Sequence, residues 1–483
     1  ENTAKGMSLI SMQDSVVRNN VIYDNKGGAG AIHLTDEPGC GKPSSRNVVV
    51  YNTIVESALA GIRINDGATS NVVFNNLVIV TNPNKPLIKD ETGGNLISTS
   101  NLTFTEIPTN LFVNSTLKNF HLVTNSPAQD KGEVSYQGKD APTLDLEGTT
   151  RPQGTGSEVG GYEYTVGTAT STASSSSSSS TTGSSSSSGG STTSSGSTGS
   201  STTSSPSSTP SPTTIAGNTS VTFPTPQVTY YVSPTGSDTN AGTQSAPWKT
   251  LQYAASQAQS GSLVLVANGT YAGFHSVNTG TATAPIVFKA QGTQVIVNSR
   301  NANTLDNINI ENTNYVAVDG FIVKDAARGG IRVALAKGVV IQNNTVGPCQ
   351  KWCIFTAFAP EIQIVHNTAF NATEQHGIYV SNSNTSTDNP IIRGNVTYGN
   401  TRSGIQVNGD CYSEGNLDGV ISGAVIENNV IYENTAKGMS LISMQDSVVR
   451  NNVIYDNKGG AGAIHLTDEP GCGKPSSRNV VVY

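Results

Sequence analysis

Seven short segments of one pattern hold the residues best suited to chemistry. They read GIRV from Gly330, CIFT from Cys353, GIYV from Gly377, GIQV from Gly404, GMSL from Gly438, AIHL from Ala463 and GIRI from Gly61. Successive side chains of a strand point to opposite faces, so the second and fourth positions turn inward and the third turns out. Stacked side by side, the third positions form one column: Arg332, Phe355, Tyr379, Gln406, Ser440, His465 and Arg63. Two positions on, the same face carries Ser381, Asn408, Thr467 and Asn65. Aromatic, amide, imidazole and guanidinium groups in one stripe, about 4.8 Å apart, suit the grip of a sugar polymer. The expected groove is Phe355, Tyr379, Gln406, Asn408, Asn65, Asp66 and Asp468.

Three chemistries fit this stripe. β-Elimination on a uronic-acid polymer needs a base near C5 and a cation or donors to neutralise the uronate carboxylate. Lys437, His376 and Tyr379 are candidate bases, His465 is a further catalytic candidate, and Arg63 or Arg402 could hold the carboxylate. Asp410, Glu414 and Asp418 offer hard oxygens that could chelate Ca²⁺. Glycoside hydrolysis would use an acid pair instead. Asp468 with Asp66 is expected on adjacent coils, about 5 Å apart, and Asp410 with Glu469 about two coils apart. The third reading is a non-catalytic carbohydrate-binding or adhesion module, in which repeated copies raise avidity. Elimination is placed ahead of hydrolysis and of binding alone. His465, projecting from a strand, is expected to be exposed.

The elements that position these residues follow from a ladder. VVIQNN at 339–344 sets two β-branched residues ahead of an Asn, and the pattern returns at Asn367, Asn395, Asn429, Asn452, Asn52 and Asn76. The first four steps are 23, 28, 34 and 23 residues. A unit of that size with short strands cannot bury its apolar face alone, whereas stacked coils can. The spacing predicts an all-β, parallel β-helix with Asn side chains bonded from coil to coil. Three longer intervals fall after the G-I-x-V strand, as SNSNTSTDN, NGDCYSEGNLDGVISG and TDEPGCGKPSS. Insertions at one corner would wall one side of the stripe and make a groove.

Residues 1–51 recur unchanged at 433–483. This predicts a natural unit that runs from about 227 to 483 and continues at 52 to 164. Residues 1–164 are then the back of one helix, 165–226 a Ser/Thr/Pro-rich disordered linker, and 227–483 the front of the next. The open coil at 483 is expected to receive the coil near Asn52 and displace 1–51, with head-to-tail association between chains as an alternative. Otherwise the natural unit is expected to be a monomer.

Charged residues are only 13%, Gly reaches 50 copies, and the net charge is −7. That profile suits many short strands and turns, and it argues against a nucleic-acid partner, which calls for a basic surface. No apolar run reaches the length of a membrane span, and Glu1 lies inside a repeat where no signal peptide is read.

The ladder and both ends of the unit resemble the right-handed parallel β-helix proteins of the pectate-lyase-like superfamily. YYVSPTGSDTNAGTQSAPWKTLQYA (230–254) is similar to their opening module, and FHLVTNSPAQDKG through GGYEY (120–164) to their closing segment. Trp248, Leu251, Ala254, Ala255 and Ala258 have helical spacing and are expected to plug the first coil, with Asp238, Asn240 and Gly242 in a hydrogen-bonded turn. The resemblance implies secretion, where Cys411–Cys472 and Cys349–Cys353 could form disulfides.

Overall fold

Side-chain amides set the stacking. In the computed structural model, the Nδ2 of Asn344, Asn367, Asn395 and Asn429 each donates to the Oδ1 of the next ladder Asn, at 3.0, 3.1, 3.0 and 2.8 Å. The same bonds run from Asn20 to Asn52, Asn76 and Asn101. Each amide also satisfies backbone groups at the bend, as Asn429 does for Ile392 O at 2.9 Å. A second ladder, Asn400–Asn434–Asn457, holds the next corner. The structure describes residues 6–26, 28–36, 42–65, 67–165, 219–381, 388–411, 418–460, 462–469 and 474–482.

The result is a nearly all-β solenoid of parallel coils. Sheet one has 12 strands and contains every G-I-x-V segment. Sheet two has 14 strands and carries the residues that lead into the Asn ladder. Sheet three follows the ladder and falls into parts of eight and four strands. Ile331, Ile354, Ile378, Ile405, Met439 and Ile464 stack inside sheet one with essentially no exposure. The lumen is therefore aliphatic, and each coil supplies the cover that its neighbour lacks.

Both ends are closed by the segments expected to do so. The helix Leu251–Gln257 starts at Thr250, whose side chain accepts from Tyr253 N, and buries Leu251, Ala254 and Ala255 against the first coils. Asp238 forms a turn, accepting from the backbone N–H groups of Lys249 and Thr250. At the far end the closing segment covers Val21, Val55, Leu77 and Ile79 on the four-stranded part of sheet three. There Arg151 and Glu163 form a fully buried ion pair at 2.7 Å, with the guanidinium over the Tyr51 ring.

Two expectations need correction. Residues 6–51 are not displaced. The strand Ile464–Thr467 pairs with Met7–Ile10 in the register Met7↔Ile464, and Val480–Val482 pairs with Val16–Arg18. The copy enters as two further coils, because its inward Met7 and Leu9 meet Ile464 and Leu466 as apolar partners. Asn20 crosses the junction by donating to Val481 O. Residues 219–226, assigned to the linker, pack on sheet two instead. Val221 N donates to Gln342 Oε1 at 2.8 Å, and Val221 and Phe223 rest on Val287, Ala317 and Val340. Residues 166–218 lie outside the described residues. Cys349 and Cys353 are joined by a disulfide; Cys411 is also disulfide-bonded, and its expected partner Cys472 is outside the described residues.

Asn429→Ala removes two donated bonds and leaves the amide of Asn395 without its acceptor. Buried groups left unpaired cost about 1–3 kcal/mol each, so a loss of about 3–5 kcal/mol is expected in urea unfolding. Thr435→Ala, at an exposed turn, should stay within about 0.5 kcal/mol. Equal midpoints for the two variants would contradict the ladder's role.

Candidate functional site

The outward column forms as its spacing requires. Arg332↔Phe355, Phe355↔Tyr379, Tyr379↔Gln406, Gln406↔Ser440 and Ser440↔His465 are all paired positions of sheet one. Asn408 lies on the same face, and its Nδ2 donates to the Tyr379 hydroxyl at 3.3 Å. Phe355 packs edge-to-face on Tyr379 with centroids 5.3 Å apart, and Trp352 stacks on Phe355 at 4.3 Å. Trp352 was not singled out from the sequence. The signal was there, since Trp352, His376, Ser403 and Lys437 each stand one residue ahead of a G-I-x-V-type segment.

That offset builds a cationic end. His376 packs edge-to-face on Tyr379 at 5.3 Å and is nearly buried. Burial first, then the charges of Arg402 and Lys437, push its imidazole down to about 4. Its Nδ1 accepts the Ser403 N–H at 3.1 Å. In the neutral ring the proton must then sit on Nε2, so His376 is a donor there.

The other end of the same strands is acidic. Burial raises the Tyr379 phenol, and the charges of Asp410 and Glu469 raise it further. Glu469 is itself raised by burial, then by Asp410 and Asp468. The charges of Asp410 and Glu469 are thus felt at one another and at Tyr379. Asp418 instead accepts from Val420 N in a local turn, and Glu414 lies outside the described residues. Among the described residues no three acidic, His or Cys side chains converge as a ready metal cage.

Several expected site residues are placed elsewhere. His465 is buried at 8% exposure and has Ser8, not Arg63, as its next neighbour. The inserted copy carries the column on through Ser8 and His33 before Arg63. Arg63 therefore stands six coils from Tyr379, roughly 29 Å away by strand spacing, and its guanidinium is paired with Glu91 at 2.7 Å. Asn65 bonds with His33 Nε2 at 2.8 Å and Thr35 Oγ1 at 3.0 Å. The strands Met7–Ile10 and Ile32–Thr35 stand between the strand Ile464–Thr467, which precedes Asp468, and the strand Ile62–Ile64; Asp66, the expected partner of Asp468, lies outside the described residues.

Residues 230–388 match the family model described as "Pel9A-like, right handed beta helix region". Pectate lyase PEL9 of Emericella nidulans is 44% identical over 71 residues, 14% of this chain and 17% of that protein. The uncharacterized protein YwoF of Bacillus subtilis is 32% identical over 101 residues, 20% and 22% of the two chains. The chain thus spans about a fifth of the length of these relatives. Among solved structures, pectate lyase Pel9A matches with a TM-score of 0.35 and 14% identity, over 50% of this chain and 75% of that one. A rhamnogalacturonan lyase matches at 0.33 and 16%, over 46% and 68%. Among the described residues no helix is long and apolar enough to cross a membrane.

The lowered imidazole has a checkable cost. A histidine whose folded pKa lies below its unfolded value contributes stability above the unfolded value, near 6.5, and loses it as pH falls through the folded value. Between about pH 7 and about pH 4 this amounts to roughly 3 kcal/mol for His376. His376→Gln should flatten the acid limb of urea-measured stability by about 2–3 kcal/mol over that range. An unchanged acid limb would mean that the ring is not buried neutral.

Proposed function

We propose, from the premise that residues 230–388 form a Pel9A-like right-handed β-helix region, that this chain cleaves an acidic polysaccharide by β-elimination on sheet one. The observation that carries the reading is the polarity of that face. Arg402 and Lys437 flank His376 at one end, Tyr379 lies at the centre, and Asp410 and Glu469 lie beyond it. A uronate carboxylate is met by Arg402 and by the Nε2–H of neutral His376. Holding the carboxylate by charge-assisted bonds acidifies the adjacent C5 proton. Lys437, once deprotonated to the neutral amine at alkaline pH, takes that proton, the C4–O4 bond breaks as the C4=C5 bond forms, and the Tyr379 phenol gives its proton to the departing oxygen. Of the three candidate bases, Lys437, His376 and Tyr379, Tyr379 stays protonated because its phenol is raised, and His376 is a donor by its tautomer. The base falls to Lys437. Phe355 and Trp352 offer apolar surface for sugar rings, with Gln406 and Asn408 as polar contacts.

Calcium held by Asp410 and Glu469 would supply a further positive charge for the polymer's carboxylates, and no step above depends on it. The Ser/Thr/Pro-rich tract supports action outside the cell, where such polymers are found.

Hydrolysis is the second reading, favoured by one feature. Glu469, raised first by burial and then by Asp410 and Asp468, suits the role of a general acid.

A panel of pectic, alginate and glucuronan polymers separates the readings. Ultraviolet absorbance of unsaturated ends is expected, with kcat falling about 10²–10⁴-fold in Lys437→Ala. New reducing ends without that absorbance, lost in Glu469→Gln, would replace elimination by hydrolysis. Binding without either product would leave a carbohydrate-binding module. Loss of activity in EDTA, restored by Ca²⁺, is the outcome expected of the metal reading, and full activity in chelator would remove it.

A further inference from the structure

Sheet three carries a second ordered surface, far from the groove in chemical character. The strands Thr368–Phe370, Val396–Tyr398, Val430–Tyr432 and Val453–Tyr455 pair in strict register. Their outward residues form two columns. One is Thr368, Val396, Val430 and Val453; the other is Phe370, Tyr398, Tyr432 and Tyr455. The rings stack with centroids 5.2, 5.1 and 5.1 Å apart and planes within 9, 10 and 3°. Neither column contains a charge.

Rings stacked in this way give their faces to one another and their edges to the solvent. Three phenol hydroxyls therefore stand in a line along the solenoid axis, one per coil. Burial pushes the phenols of Tyr432 and Tyr455 up, which keeps them as hydroxyl donors. The surface is open: Val453 is 46% exposed. Its duplicate, Val21, is only 8% exposed beneath the closing segment, while Tyr23, with Phe120 at 5.4 Å and Lys118 over its ring, stays 40% exposed. On the same V-I-Y surface the valine thus takes an apolar cover and the tyrosine keeps an open edge.

We infer that the tyrosine column of sheet three is a second, non-catalytic glycan-binding surface that takes a neutral, extended β-1,4-linked polysaccharide laid along the solenoid axis. The step of 5.1 Å from ring to ring is close to the advance of such a ribbon per sugar, so each phenol meets a hydroxyl of a successive residue. The Val column supports the C–H edge of the ribbon. The absence of charge from both columns selects against uronates, whose carboxylates would be desolvated there without a partner. This surface would hold the chain on a neutral polymer while sheet one acts on an acidic one, and it stands or falls independently of the chemistry proposed for sheet one.

The test is retention of the full chain on insoluble cellulose and β-mannan, compared with insoluble polygalacturonate. Wild type should be retained on at least one neutral polymer. The triple variant Tyr398→Phe, Tyr432→Phe, Tyr455→Phe keeps the stack and removes the hydroxyls. Its affinity for the neutral polymer should fall by about fivefold per hydroxyl, with an unchanged unfolding midpoint and unchanged activity or binding on acidic polymer. Val430→Lys should weaken the same retention. No retention of wild type on either neutral polymer would overturn the inference. So would equal retention of both variants, or retention on polygalacturonate alone. Loss of catalysis with retention intact would count against sheet one only.

Discussion

The coil-to-coil bond between buried asparagine side chains is the constraint from which the rest follows. Each ladder amide accepts with its carbonyl from the amide of the preceding coil and donates its N–H groups to the next coil's amide and to a backbone carbonyl of the preceding coil, so a bend that would otherwise bury unsatisfied backbone is filled. A missing amide leaves several polar groups unpaired in an apolar lumen, and a shift of one residue turns the inward Ile column out. The register is therefore fixed at every bend, and with it the outward column of sheet one.

Fixed register also explains where the chain tolerates length. The bend between sheets two and three is closed by the first Asn ladder, and the corner leading back to sheet one by the second. The same intervals of 28 and 34 residues appear at both corners. At the first they separate Asn367 from Asn395 and Asn395 from Asn429. At the second they separate Ala372, whose N–H donates to Asn400, from Asn400, and Asn400 from Asn434. The extra residues must fall between these corners, after sheet one. Asp410 and Glu469 are carried there, and their charges raise the Tyr379 phenol.

Much of this was legible in the sequence, and the failures share a cause. The Asn spacing and the G-I-x-V repeats gave the coil and the pairing of Phe355, Tyr379, Gln406, Ser440 and His465, because a period in a solenoid is a contact. What periodicity cannot give is the order in which separate stretches join. Arg63 and Asp468 were placed one coil from the wrong neighbours because the stacking of residues 6–51 depends on apolar match at Met7 and Ile464, which no spacing encodes. The tautomer of His376 was equally hidden. It depends on the Ser403 N–H, a backbone group supplied by the next coil. Exposure of His465 failed because a residue that points out of a strand can still be buried at 8% exposure among its neighbours, which alternation along the strand does not reveal.

A three-sided solenoid can give each face its own chemistry, since stacking commits only the inward residues. Sheet one sets aromatics between cations and acids at its outward positions. Sheet two uses its outward positions for compensation: Glu427 takes Arg393 and Arg450 at 2.5 and 2.6 Å, and residues 219–226 cover the apolar patch at Val287, Ala317 and Val340. Sheet three keeps a neutral strip of valine and tyrosine. The three patterns coexist because a substitution on one face leaves the ladder and the lumen untouched. Selection for a substrate can then act on a column of residues at a time, with a spacing that the coil has already set.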